Sequence, residues 1–208
     1  MKKQVISAAM IAAILMGNGA FAVNAVEDGN AAVMFAEEAR TDFIKAALEA
    51  GIIENSEQKL DEEISREQFC EFAYNMLNKV KELPAAKLSR NPFDDVNNYK
   101  INALAFVGIV SGKGENVFAP NDKISREEAA VIFCRIAKYA EAELPIAKVD
   151  MSYSDNVQIS DWAVSSVYSL KLSGVMENSS GEAFNPAAAY TVEETVASLL
   201  RLRDIIKK

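Results

Sequence analysis

The sequence predicts an all-α protein built from three helix-loop-helix repeats. A capped helix start recurs three times, apolar residues fall at steps of three and four around it, and a linker repeats almost letter for letter. The helix start Lys123-Ile-Ser-Arg-Glu-Glu-Ala129 returns as Glu63-Ile-Ser-Arg-Glu-Gln-Phe69 and as Ala189-Tyr-Thr-Val-Glu-Glu-Thr195. Ser65, Ser125 and Thr191 are each followed three residues on by Gln68, Glu128 or Glu194. In that pattern the hydroxyl and the carboxyl or amide each satisfy an orphan backbone N–H, which makes a capping box. Ile64, Ile124 and Tyr190 precede the caps as apolar staples.

Taken in order, the elements support this plan. Lys2 and Lys3, an apolar run from Val5 to Met16 and the small-residue sites at Ala22 and Ala25 read as a Sec-type leader, with cleavage expected after Ala25. The run is too short to span a bilayer. From Ala32 to Ala50 the apolar spacing predicts an amphipathic helix that stops at Gly51. A second helix is expected from Arg66 to about Lys81, burying Phe69, Phe72, Ala73, Met76, Leu77 and Val80. The linker Glu82-Leu-Pro-Ala-Ala-Lys87 returns as Glu143-Leu-Pro-Ile-Ala-Lys148. Between the two linkers lie a short helix through Ile101, Leu104 and Val107 that ends at Gly108, a loop from Ser111 to Pro120, and a helix after Ser125. The last repeat has the same plan, with Trp162, Val167, Leu170, Gly174, Phe184, Pro186 and a final helix after Thr191. The boundaries read as a leader at 1–25 and repeats at 26–87, 88–148 and 149–208.

Glycine placement adds a backbone expectation. Gly51, Gly108 and Gly174 sit where a helix must turn left-handed to stop. Four residues beyond them, Asn55, Gly112 and Asn178 are also read as positions that tolerate a positive φ. Phe118 and Phe184 are expected to anchor their loops in the core; the first repeat lacks a counterpart.

Composition narrows function. Without Lys2 and Lys3 the chain carries 20 cationic against 30 acidic residues, a net charge of −10. This makes the chain a poor candidate for non-specific binding to nucleic acid or to anionic membranes, and any polyanion would have to be bound through local cationic pockets. The absence of histidine removes Ser-His-Asp and Cys-His catalysis and His-ligated metal sites. Asp94, Asp95 and Asp155 show no spacing that marks a glycosidase pair, so no enzyme, metal or cofactor is expected. Cys70 and Cys134 read as two buried thiols or as a bridge between helices.

Arg66 and Arg126 are the functional clue. Each follows a helix cap, where a cation opposes the helix dipole by up to about 1 kcal/mol. The third copy has Val192. Either these arginines pair with neighbours such as Glu67, Glu127 or Asp122, or they present a planar donor pair to an anionic ligand at a helix N-terminus.

The order Phe-x-Asp-Val, Trp-Ala, Gly, Phe-x-Pro and Ile-Ser/Thr-Arg-Glu-Glu resembles the S-layer homology repeat, occurring three times. The resemblance implies a pseudo-threefold arrangement around a central bundle of capped helices. It also implies grooves that bind secondary cell-wall polysaccharide, often through a pyruvylated sugar, holding exported proteins on the bacterial surface. Its implied ligand residues are Arg126, Arg66, Gly112, Asp95, Asp155 and Trp162. Arg126 with Gly112 is the most complete combination, and Val192 is expected to cripple the third repeat, leaving one or two competent grooves. Trp162 reads as a sugar-stacking platform or as a core residue at a helix start. The competing reading is a structural or assembly protein of the envelope that makes protein contacts on the same fold.

Overall fold

The computed structural model describes residues 29–84, 91–146, 153–177 and 182–208, with side chains from residue 37 onward. The expected leader, parts of both linker copies and Asn178 lie outside these residues. Among them the chain is all-α, with six α-helices: α1 (Gly29–Glu49), α2 (Arg66–Val80), α3 (Tyr99–Phe106), α4 (Arg126–Tyr139), α5 (Val164–Leu172) and α6 (Val192–Ile206). A 3-10 turn, Asn156–Gln158, precedes α5. No helix among the described residues is long and apolar enough to cross a membrane.

Two units are compact in themselves, one ending at Glu57 and one running from Gln58 to Lys208. The first holds α1, whose end shows why Gly51 is needed. Gly51 sits at φ 68°. Its N–H reaches the Leu48 carbonyl and the next N–H, of Ile52, reaches Ala47, each at 2.9 Å. This is a Schellman stop, which returns two orphan carbonyls to partners. In the second unit the same pair of bonds closes α3 at Gly108 (φ 76°) and α5 at Gly174 (φ 69°).

The second unit is organised around the N-termini of α2, α4 and α6. The staple residues form a ring of backbone hydrogen bonds. The Ile64 N–H donates to the Tyr190 carbonyl (2.9 Å), Tyr190 to Ile124 (2.9 Å), and Ile124 to Ile64 (3.4 Å). All three side chains are buried, Ile64 and Ile124 at 0% exposure and Tyr190 at 2%. The first helical N–H groups run round the ring in the opposite direction: Arg66 to Asp122, Arg126 to Ala188 and Val192 to Glu62. One residue on, Glu67 donates to Pro120, Glu127 to Pro186 and Glu193 to Leu60. Helix N-terminal donors that have no partner within their helix are thus satisfied by the neighbouring segment. Each cap thereby starts a helix and closes the ring.

The apolar stripes lie where the spacing places them. Phe69, Phe72, Ala73, Met76 and Leu77 of α2 are buried, as are Ala129, Ile132, Phe133, Ile136 and Ala137 of α4, and Val196, Leu199, Leu200 and Leu202 of α6. Phe69 and Phe133 meet with ring centroids 5.2 Å apart, and Phe133 meets Tyr190 at 6.2 Å. Val80 is only half-buried because α2 ends there.

Two expectations need correction. Capping boxes are complete at Ser125/Glu128 and Thr191/Glu194, but Gln68 turns its amide to Gln58 (3.4 Å), leaving only the Ser65 half of the first. Gly112 does not have a positive φ, and neither does Asn55. Among the described non-glycine residues the left-handed positions are Asn116, Ala119 and Asn185 in these loops and Glu141 after α4. Both cysteines are free thiols, the first of the two readings given above, rather than a bridge. Cys70 is fully buried and burial pushes its thiol up to about 12, while half-buried Cys134 is raised for the same reason.

Candidate functional site

The two arginines after the caps are buried bolts between consecutive segments. Arg66 is 4% exposed and Arg126 2%. Neither pairs with its sequence neighbours. From α4, the Arg126 Nε donates to the Phe184 carbonyl (2.8 Å), one terminal nitrogen to the Glu177 carbonyl (2.7 Å), and the other to Glu194 Oε1 (2.5 Å). The guanidinium carbon lies 5.1 Å from the Phe184 ring centre and 5.3 Å from that of Tyr190. Arg66 repeats this one segment earlier. It donates to the Phe118 carbonyl (3.1 Å), the Ser111 carbonyl (3.2 Å) and Glu128 Oε1 (3.4 Å), with the Phe118 ring 4.9 Å away.

Glu128 and Glu194 therefore do two things with one carboxylate. Oε2 accepts the N–H of its own cap residue, at 3.0 Å in both cases, and Oε1 receives the arginine from the preceding capped helix. A cation at the positive end of a helix is tolerated because its charge is carried away to the next helix's acid. The spacing that would have revealed this is one full repeat between Arg and Glu, rather than the one to four residues that helix pairing suggests.

Asp95 and Asp155 shape the loops that supply the carbonyls. Asp95 accepts the N–H groups of Phe118 and Ala119, each at 2.8 Å. Asp155 accepts those of Phe184 (2.8 Å) and Asn185 (2.7 Å). Clamped this way, Ala119 (φ 59°) and Asn185 (φ 57°) hold left-handed turns. The phenylalanine carbonyls turn toward the arginines. The Phe118 N–H above all holds the Asp95 carboxyl below its ordinary range, with Ala119 adding to it.

Gly112 is a steric requirement. A Cβ built there would stand 2.5 Å from the Val117 carbonyl oxygen and 3.1 Å from the Phe93 ring. This tight turn presents Ser111 to Arg66 and leaves Lys113 at the surface, 3.0 Å from Asp122 and 3.6 Å from Glu128.

The grouping of site residues also differs from expectation. Arg126 does not join Gly112. Arg66, Asp95 and Gly112 belong to one junction, and Arg126 and Asp155 to the next, because each arginine completes the loop of the segment that follows it. Val192 therefore leaves the last loop intact. Trp162 is not a core residue; it is 57% exposed. It stands two residues after Ser160, whose N–H and hydroxyl both bond to Glu127 at 3.0 Å. The backbone just before Trp162 is thus held at the N-terminus of α4. At the earlier junction Glu67 and Glu71 hold Asn98 at the start of α3 (3.0 and 2.9 Å), and Tyr99 beside it is 64% exposed. Sequence reading named Glu127 only as a pairing neighbour of the arginines and did not single out Asn98.

The family model of the S-layer homology domain matches residues 92–130, from the segment of the Asp95 clamp to the first turns of α4. The chain is similar to an endoglucanase of Bacillus sp. (strain KSM-635), 34% identical over 107 residues, which are 50% of this chain and 11% of the relative. It is similar to an amylopullulanase of Thermoanaerobacterium thermosulfurigenes, 26% identical over 77% of this chain and 9% of the relative. It also resembles exoglucanase XynX of Acetivibrio thermocellus, 29% identical over 67% of this chain and 13% of the relative. The chain thus spans about a tenth of the length of these relatives. An S-layer homology domain implies anchoring at the cell wall. The chain is an S-layer homology domain protein, with the domain matched over residues 92–130.

Proposed function

We propose that this chain is a non-enzymatic anchoring module made of three S-layer homology repeats, exported by its leader and bound without a covalent link to secondary cell-wall polysaccharide. The family match carries this reading. Pyruvylated sugar is the ligand that fits best. Open aromatic faces, Trp162 and Tyr99, belong to segments held at helix N-termini, where the helix dipole favours a carboxylate. The buried arginines add positive potential beneath these mouths, and their part is to keep the junctions in shape.

The test is retention on purified sacculi before and after chemical removal of the secondary polymer. Retention is expected on intact sacculi and lost on stripped ones. Equal retention on both contradicts the reading.

The pairing of both arginines inside the protein favours a second reading, an envelope assembly protein that uses the fold for protein contacts. Self-association or capture of an envelope protein by a chain that ignores wall polymer would support it.

A further inference from the structure

We propose that the chain has two working grooves and one closed junction, and that the closed one lies where the N-terminus of α6 meets the segment before α2. The count of two rests on the carbohydrate reading above; the closure rests on the structure alone. Each junction is composite, made by the N-terminus of one capped helix and the loop before the next. The first uses Arg66 of α2, the Asp95-clamped loop with its Phe118 carbonyl, and Glu128 of α4. The second uses Arg126 of α4, the Asp155-clamped loop with Phe184, and Glu194 of α6.

The backbone ring carries this rule to the third junction. The Val192 N–H bonds to Glu62 as Arg66 bonds to Asp122, and Glu193 bonds to Leu60 as Glu67 bonds to Pro120. Val192 therefore holds the arginine position, Gln58 the phenylalanine position and Gln68 the glutamate position. Departures scattered over more than 130 residues of sequence thus fall at one place in the fold. They are also chemically matched. An acid at 68 without a cation at 192, or the reverse, would leave a buried charge unpaired. Here both are neutral, and Gln68 bonds to Gln58 instead. Val192 is 3% exposed, Leu60 2% and Val196 0%, and α6 packs directly along α2, whereas α4 meets α6 more sparsely.

Two measurements on the purified chain test the inference. In thermal denaturation, Val192→Arg and the pair Val192→Arg with Gln68→Glu are both expected to lower Tm, by about 5 °C or more, because Val192 is 3% exposed and a larger, charged side chain overpacks that position. A Tm for the double variant equal to or above that of the parent overturns closure, since the junction would then be an open groove lacking only its ion pair. In calorimetric titration with the methyl glycoside of a pyruvylated N-acetylhexosamine, the expected stoichiometry is two, unchanged in Val192→Ala. A stoichiometry of one or three overturns the inference. No binding at all contradicts the carbohydrate reading and the count with it, while closure is still decided by the melting temperatures.

Discussion

Arg126 and Arg66 have the same partners in kind but not in quality. The bonds of Arg126 run from 2.5 to 2.8 Å, those of Arg66 from 3.1 to 3.4 Å. Charge-assisted bonds near 2.8 Å are the strong ones, and removing one partner of a buried pair costs about 3–5 kcal/mol. Arg126→Met is therefore expected to lose about 3 kcal/mol of unfolding free energy and Arg66→Met about half that; chemical denaturation gives both values. Ala119 gives a prediction of opposite sign. A non-glycine residue at φ 59° is disfavoured by about 1–2 kcal/mol, so Ala119→Gly should raise stability by up to about 1 kcal/mol after the entropy gained by the unfolded chain. The Ser-x-x-Glu signature made the helix starts readable from sequence. The arginine's role was not readable, because its partners lie 51 to 68 residues away and only the folded ring brings them close.

At the scale of elements, caps and loops are the working parts. Ser125→Ala removes the acceptor for the Glu128 N–H and should cost about 1 kcal/mol. Gly112→Ala should cost more, about 1–3 kcal/mol, since a methyl 2.5 Å from a backbone oxygen forces the turn apart. Asp95 supplies a pH dependence. Its carboxyl titrates below the ordinary value, so its contribution is complete above about pH 4 and fades as pH falls through the folded-state value. The stability difference between the parent and Asp95→Asn should shrink along that acid limb. Helix positions and Schellman glycines were legible because the rules that set them are local. Gly112 was misread because its requirement is a contact with Val117 and Phe93, which spacing does not encode.

At the scale of the molecule, the three staple residues close a ring that one residue type makes sensitive to base. Burial pushes the Tyr190 hydroxyl up to about 12, and Arg126 opposes this only partly. The neutral form is favoured on folding. Stability is then complete below the ordinary tyrosine value near 10 and is lost as pH rises from about 10 toward 12. Tyr190→Phe, which gives up the 2.7 Å bond to Ser198, should be about 1 kcal/mol less stable at neutral pH yet show a shallower alkaline loss of Tm. The all-α class was legible from periodicity, whereas the assignment of each arginine to the following loop was not, because it depends on the direction in which the ring closes.

The central claim is that structure and recognition are divided between neighbours, with Arg126 holding the junction and Trp162 meeting the ligand. The most direct test is the affinity of Trp162→Ala for solubilised secondary wall polymer, measured with its melting temperature. The account predicts a loss of at least tenfold with Tm within about 2 °C of the parent, because the ring is exposed and little packing is removed. Unchanged affinity, or a fall in affinity that follows a fall in Tm, would contradict it.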